Sequence, residues 1–331
     1  MAWSGLIIGL IFGVILQRGR VCFNSAYRDL VFFKDNYLMK LYTFAVGLEA
    51  ILFVLFAQFG LITLNPKPIN LVGNTLGAFT FGLGMVLAGG CASGVTYRTG
   101  EGLTTAWFAA LIYGLTATSV KGGALKFISN WLGQFNKTVE NHVSSIYKPQ
   151  SGLTLPDVFH INPLVMAIIF AAILWVYAFG TKTTNRETKL SWKVAAVLLA
   201  ILAPFAWWTS QKAGRMYGLG ITGGWINLIK SFTTGEALSW EGFEIIGIII
   251  GAAISAVQAK EFKLRMPKQP KTYVQVMIGG VLMGLGAAMA DACNIGHALT
   301  GVGLMAVSSI IATVFFMLGN WTMAWFLFGR K

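Results

Sequence analysis

The chain has 331 residues, 56% of them hydrophobic and only 11% charged, with a net charge of +13 and a mean hydropathy of +0.67. A soluble core of this length would not carry so few charges, so the composition excludes a water-soluble domain and requires a polytopic membrane protein. The basic residues are spread over short loops, which argues against nucleic acid as a partner. Their excess reads either as ordinary cytoplasmic loop charge or as a field that attracts anions.

Nine apolar runs approach or exceed the ~20 residues needed to cross a bilayer. They cover 3–17, 38–62, 74–90, 103–120, 163–180, 193–210, 242–260, 274–291 and 304–328. The expected fold class is therefore all-α. The first run is short and is expected to reach only part way. Its start, Met1-Ala2-Trp3-Ser4, lacks a basic leader, so it reads as a membrane segment and not as a removable signal. Trp3, Trp192, Trp207 and Trp321 read as anchors against membrane lipid. Four segments, 19–36, 91–102, 214–232 and 292–303, are too short to cross and too apolar for free loops. They are expected to be short re-entrant helices, since irregular backbone at membrane depth is tolerated only inside protein or along a cavity.

With nine spans, seventeen Lys and Arg fall on one side, Arg330 and Lys331 among them, and eight on the other. The positive-inside rule then places the C-terminus in the cytoplasm and the N-terminus outside it. The longest connection, 121–162, carries His142 and His160 and is expected to be extracytoplasmic. Runs 181–193 and 260–273 read as plain solvated loops. Residues 1–150 are taken as a first repeat half with that long connection and residues 151–331 as a second, within one integral membrane domain.

The repeat is carried by the cysteines. The chain has three, each closing a Gly-x8-Cys stretch: Gly13 to Cys22, Gly82 to Cys91 and Gly284 to Cys293. Cys91-x-x-Gly94 precedes Thr99-Gly100-Glu101-Gly102-Leu103, and Cys293-x-x-Gly296 precedes Thr300-Gly301-Val302-Gly303-Leu304. Gly19-Arg20-Val21-Cys22 is echoed by Gly214-Arg215-Met216-Tyr217. Four units result, with Tyr217 standing where the third cysteine would be. The first two open toward the opposite membrane face from the last two, which is an inverted-topology repeat with its site expected near the midplane.

A lone cysteine in an apolar helix is usually a packing residue. Three at helix breaks, each beside Asn, Ser or Gly, read instead as one shared site. The spacing is not that of a zinc finger or of a C-x-x-C redox pair, and no G-x-x-x-x-G-K-[ST] motif is present. His297, four residues after Cys293, leaves a Cys/His soft-metal site open; no cofactor is expected. A neutral thiol is a weak donor and a soft, polarizable surface, suited to a large sulfur-bearing anion that must bind and leave again. Asn24, Ser93, Gly94 and Asn294 lie next to the cysteines and read as further donors or as helix caps. Arg20, Arg98 and Arg215 read as an electropositive mouth or as headgroup anchors. Glu49, inside a long span, reads as a structurally paired carboxyl or as a gating or proton-coupling group, and Asp291 falls in the same class.

Gly19-Arg20-Val21-Cys22-Phe23-Asn24, Gly89-Gly90-Cys91-Ala92-Ser93-Gly94 and Ala292-Cys293-Asn294-Ile295-Gly296-His297 together resemble the YeeE/YedE sulfur-transport proteins. The likeness runs over essentially the whole chain. It implies a bacterial inner-membrane permease that takes up thiosulfate for cysteine synthesis, with Cys22, Cys91 and Cys293 handing the anion on through S–H···S contacts. It also implies a small cytoplasmic sulfurtransferase-like partner. Alternatives are a membrane sulfurtransferase or thiol redox enzyme, or transport of another sulfur or selenium species. Moving a dianion inward against an inside-negative potential costs about 4–5 kcal/mol per ~100 mV, so a drive is needed that the sequence does not name.

Overall fold

The computed structural model describes residues 1–140, 142–184, 186 and 188–329. Arg330 and Lys331, counted above for orientation, lie outside them. Among the described residues the chain is all-helical, with isolated β-bridges and no strand. It is a multi-pass membrane protein: eight segments are long and apolar enough to cross a bilayer. Two of these, Ser4–Phe32 and Gly73–Gly100, join a long helix to the short one after it.

The first series is α1 (Ser4–Gly19), α2 (Phe23–Phe32), α3 (Tyr37–Gln58), α4 (Ala78–Leu87, entered through a wide turn at Gly73–Gly77), α5 (Ala92–Gly100) and α6 (Thr104–Gly122). The connection holds α7 (Lys126–Gly133) and α8 (Leu155–Phe159), followed by α9 (Pro163–Gly180). The second series is α10 (Trp192–Lys212), α11 (Thr222–Thr234), α12 (Trp240–Gln258), α13 (Lys271–Ala290), a π-helical segment (Ile295–Gly301) and α14 (Val307–Phe328). The nine expected spans coincide with long helices. α6 coincides with the one that its threonines and serines keep out of the strongly apolar set. The four expected short pieces are α2, α5, α11 and the π-helical segment.

The packing has an internal pattern. α1 lies on α12 as α10 lies on α3, and α6 lies on α13 as α14 lies on α4. α5 meets α12 as the π-helical segment meets α3, and α2 meets α14 as α11 meets α6. Exchanging the two series maps each pair onto its counterpart. α9 stands outside both series, against α3.

Small residues permit the closest contact. A β-carbon built on Gly9 of α1 would sit 3.0 Å from the Gly247 Cα and from the Glu244 carbonyl carbon of α12. Helices that close are held by van der Waals packing, the main attraction available between helices in lipid.

Two loops expected to be free are docked. In 181–193, the Lys40 ammonium donates to the Thr181 carbonyl (2.5 Å) and to Thr183 Oγ1 (2.7 Å), while Arg186 pairs with Asp29 and Asp35. In 260–273, Glu261 and Arg265 join an ion-pair network described below. Arg186, Glu261 and Arg265 thus have internal partners, which pattern alone does not reveal.

The long connection is pinned by a buried latch. His142 Nδ1 donates to Asp157 Oδ2 (2.8 Å), and His142 Nε2 accepts from Ser151 Oγ (2.9 Å). Asp157 also accepts from the Val143 and Thr154 backbone N–H groups and from the Thr154 hydroxyl. Burial raises the Asp157 carboxyl, and these donors outweigh it and hold the group below its ordinary value. The latch fixes a stretch whose Gly152 N–H donates to Pro66 O and whose Thr154 bridges Ala306. Ser308 in turn donates to Lys67 O at 2.8 Å. The backbone around Lys67 is thereby set.

Two outcomes follow in thermal melts of the detergent-purified protein. Gly9→Ala lowers stability by about 1–3 kcal/mol through overpacking, whereas Gly180→Ala, whose β-carbon meets nothing within 4 Å, leaves it unchanged. Asp157→Asn lowers stability near neutral pH by about 1–3 kcal/mol. Because the folded-state carboxyl titrates below its unfolded value, that stabilisation is present above the ordinary range near ~3.9 and fades as pH falls through the folded value, so the gap between variant and parent closes in acid.

Candidate functional site

Helix breaks position the thiols. Cys22 and Cys91 are the N-cap residues of α2 and α5, both in extended backbone, and Cys293 stands just before the π-helical segment. Two or three residues ahead of Cys22, Cys91, Tyr217 and Cys293 stands one left-handed residue: Arg20, Gly89, Gly214 and Asp291 respectively. One backbone device therefore serves all four breaks.

All three cysteines are free and buried. Cys22 and Cys91 form a pair, Sγ to Sγ 3.7 Å, too far for a disulfide and within reach of an S–H···S contact. Ser93 Oγ is 3.4 Å from the Cys91 sulfur. Gly94 makes the space, since a β-carbon there would lie 2.6 Å from Cys22 Sγ and 3.5 Å from Cys91 Sγ.

Cys293 is separate from that pair and lines the floor of a cavity of about 430 Å³. The walls of this vestibule carry Lys67, Lys121, Arg215, Asp291 and Glu241, with Tyr217 and Thr222 lower down. Lys67 and Lys121 both pair with Asp291, at 2.7 and 2.5 Å, and Arg215 pairs with Glu241 at 2.8 Å. Three cations thus face two carboxylates. Tyr113 sits behind the floor, bonded to Thr222 Oγ1 at 2.7 Å, and faces both Cys293 and Cys91.

Around the thiols, buried polar atoms are poorly partnered among the described residues: Asn24 Nδ2 and the Tyr42 hydroxyl have no partner, and the Tyr27 hydroxyl and the Asn294 amide have at most each other. Buried polar groups are nearly always bonded in a packed interior. Their concentration beside the thiols marks a place that accommodates water or a polar guest.

The opposite face is closed. Arg20 pairs with Glu101 (2.5 Å) and Glu261 (2.7 Å), and Arg265 reaches Glu101 at 3.5 Å. Gln17 donates to both carboxylates and accepts from Ser255. Glu101 is almost fully buried in this knot.

The structure thus brings Cys22, Cys91, Ser93 and Gly94 into direct contact, with Asn24 and Asn294 among the poorly partnered groups near the thiols. Arg215 lines the vestibule. Arg20 is committed to the knot, and Arg98, which donates to Gly89 O at 2.5 Å and to the Tyr97 hydroxyl, approaches Cys22 from the knot side. Glu49 lies apart from the thiols, fully buried and unpaired. Asp291, expected as an intramembrane carboxyl, is half-exposed in the vestibule because two lysines hold it there. Lys67, Lys121, Tyr113 and Thr222 were not legible in sequence, since each meets its partner across more than 100 residues of chain. His297 has both ring nitrogens engaged, by Ser309 Oγ and Ala290 O, so it offers no metal ligand beside Cys293. Among the described residues no group of three or more His, Cys, Asp or Glu is arranged to hold a metal.

A family model described as sulphur transport matches residues 18–322. Thiosulfate transporter TsuA of Spirochaeta thermophila is 60% identical over 330 residues, covering 100% of both chains. Thiosulfate transporter TsuA of Escherichia coli is 32% identical over 351 residues, covering 100% of this chain and 96% of that protein. A probable transporter, YedE of Salmonella typhimurium, is 35% identical over 107 residues, which is 32% of this chain.

The vestibule predicts an order of thiol reactivity. An anionic methanethiosulfonate reagent added to the folded protein should modify Cys293 first and leave Cys22 and Cys91 untouched, read by intact mass and peptide mapping. Replacing Lys67 and Lys121 by Ala should slow that reaction about tenfold and leave a neutral reagent unaffected, as expected for charges within ~10 Å of the sulfur.

Proposed function

Because the chain belongs to the sulphur-transport family, we propose that it imports thiosulfate across the bacterial inner membrane, passing the dianion along its thiols without a covalent step. Family membership makes it a transport protein rather than an enzyme. One observation carries the proposed route: Cys293 lines a cationic vestibule, and Tyr113 lies within reach of both Cys293 and Cys91 of the buried Cys22–Cys91 pair.

The vestibule is the outer mouth on this reading, and the Arg20–Glu101–Glu261 knot faces the cytoplasm. Lys67, Lys121 and Arg215 raise the local anion concentration. At the floor, Cys293 meets the terminal sulfur of the anion, a large soft acceptor for a weak S–H donor. Past Tyr113, the free N–H groups at the starts of α2 and α5 and the poorly partnered Asn24, Tyr27 and Asn294 groups supply donors without a formal charge. Neutral donors bind a dianion loosely enough to release it, as permeation requires. Arg98 and the knot lie at the far end, and opening the knot admits the anion to the cytoplasm. The small cytoplasmic sulfurtransferase-like partner suggested by the resemblance would receive it on that side. The exchangeable packing of the two series supports an inverted repeat, with the thiols at the interface between its halves.

Uptake of radiolabelled thiosulfate by cells lacking their own system is the test. Cys91→Ala should reduce it at least tenfold, to the level of cells carrying an empty vector, and Gly94→Ala should do the same by forcing the Cys22 and Cys91 sulfurs apart. Undiminished uptake by a well-expressed Cys91→Ala protein would remove the thiol from the route. Intact mass after exposure to thiosulfate should show no sulfur adduct; a stable adduct would replace the non-covalent route with a sulfurtransfer mechanism.

A further inference from the structure

Two carboxyl groups in the interior take no part in the route described above. Glu49 in α3 and Glu244 in α12 are each 0% exposed; Glu49 has no hydrogen-bond partner for either oxygen among the described residues, and the Glu244 carboxyl has at most the backbone N–H of Gly220. They are also related. The 27 residues from Cys22 to Glu49 recur between Tyr217 and Glu244, in the register that aligns Gly19-Arg20 with Gly214-Arg215. α3 and α12 are the helices that exchange with one another in the packing pattern.

Each stands close behind a residue of the vestibule wall. Glu49 packs against Phe53 and the backbone of Gly303, where a β-carbon would lie 3.1 Å from the Glu49 carboxyl carbon. Tyr217, which lines the vestibule, is the titratable group within electrostatic reach of Glu49. Glu244 faces Arg215 and Glu241, both in the vestibule wall, and the backbone N–H of Gly220. The backbone of Glu244 packs closely on Gly5 and Gly9 of α1. An ionised carboxylate in such a place loses its hydration and gains no cation in contact.

We propose that Glu49 and Glu244 are paired proton carriers that couple thiosulfate entry to the proton gradient, one proton for each negative charge of the anion. The inference rests on the thiosulfate-transport reading. Each side chain stays on its helix: its carboxylate takes a proton from the vestibule side, holds it as the neutral acid while the anion passes, and releases it to water on the knot side when the knot opens. Two protons and one dianion move no net charge, which removes the opposition of an inside-negative potential.

The test uses full-length protein in liposomes, with membrane potential clamped at zero and an inside-alkaline gradient of one pH unit. Two protons per anion predict accumulation of radiolabelled thiosulfate to about a hundredfold at equilibrium, tenfold for each proton. Glu49→Gln or Glu244→Gln should reduce this to about tenfold, and the double variant should accumulate none. Glutamine mimics the protonated carboxyl in shape and charge, so exchange of external label for internal thiosulfate, which needs no net proton movement, should continue in every variant. Full accumulation by the double variant, insensitivity of the parent to the pH gradient, or loss of exchange together with accumulation each overturns the proposal. Absence of thiosulfate exchange in the parent protein would remove the transport reading itself.

Discussion

A helix that breaks off inside a membrane leaves backbone N–H and C=O groups that lipid cannot satisfy, and this constraint organises the molecule. Four such breaks occur, each turned by one left-handed residue and each followed by a short helix or helical segment buried among the long ones. The long helices must enclose those pieces completely. That demands close contact, which the glycines of α1 and α12 allow. The same unsatisfied groups that make a break expensive give it polarity at a depth where little else is polar. A site built on breaks needs few charged residues, in keeping with a chain that is only 11% charged.

Much of this was legible from the sequence because the signals are local. Apolar runs located the long helices, and a cysteine at a fixed distance after a glycine located the breaks. The four short pieces followed from being too apolar for loops and too brief to cross. What stayed hidden depends on chain segments meeting in space. Lys67 sits in a loop without a motif, and it becomes part of a site only because Ser308 and a latch some ninety residues onward hold that loop in place. Glu261 and Arg265 looked like surface charge, yet they complete a knot around Arg20 and Glu101. Asp291 looked like a carboxyl buried in a span, and two lysines from the first series turn it toward water. In each case the residue type was visible and its partner was not.

The two ends of the proposed thiol route differ in kind. At one end the charges line open space and are paired in a way an anion can compete with. At the other the charges are closed on one another, with buried Glu101 accepting from part-exposed Arg20 and Arg265 and from Gln17 at once. On the proposed route the knot opens only when several of these contacts are exchanged together. The His142–Asp157–Ser151 latch has the connectivity of a hydrolase triad, but its serine is buried, and its role is to fix backbone.

The vestibule charges also set a limit on occupancy. With three cations facing two carboxylates, the empty mouth carries one excess positive charge. A single dianion reverses that sign, so the first guest repels the second from a space of about 430 Å³. On the proposed route the mouth is consequently a one-at-a-time turnstile: crowding outside fills it without stacking anions inside it, and flux levels off once it is occupied.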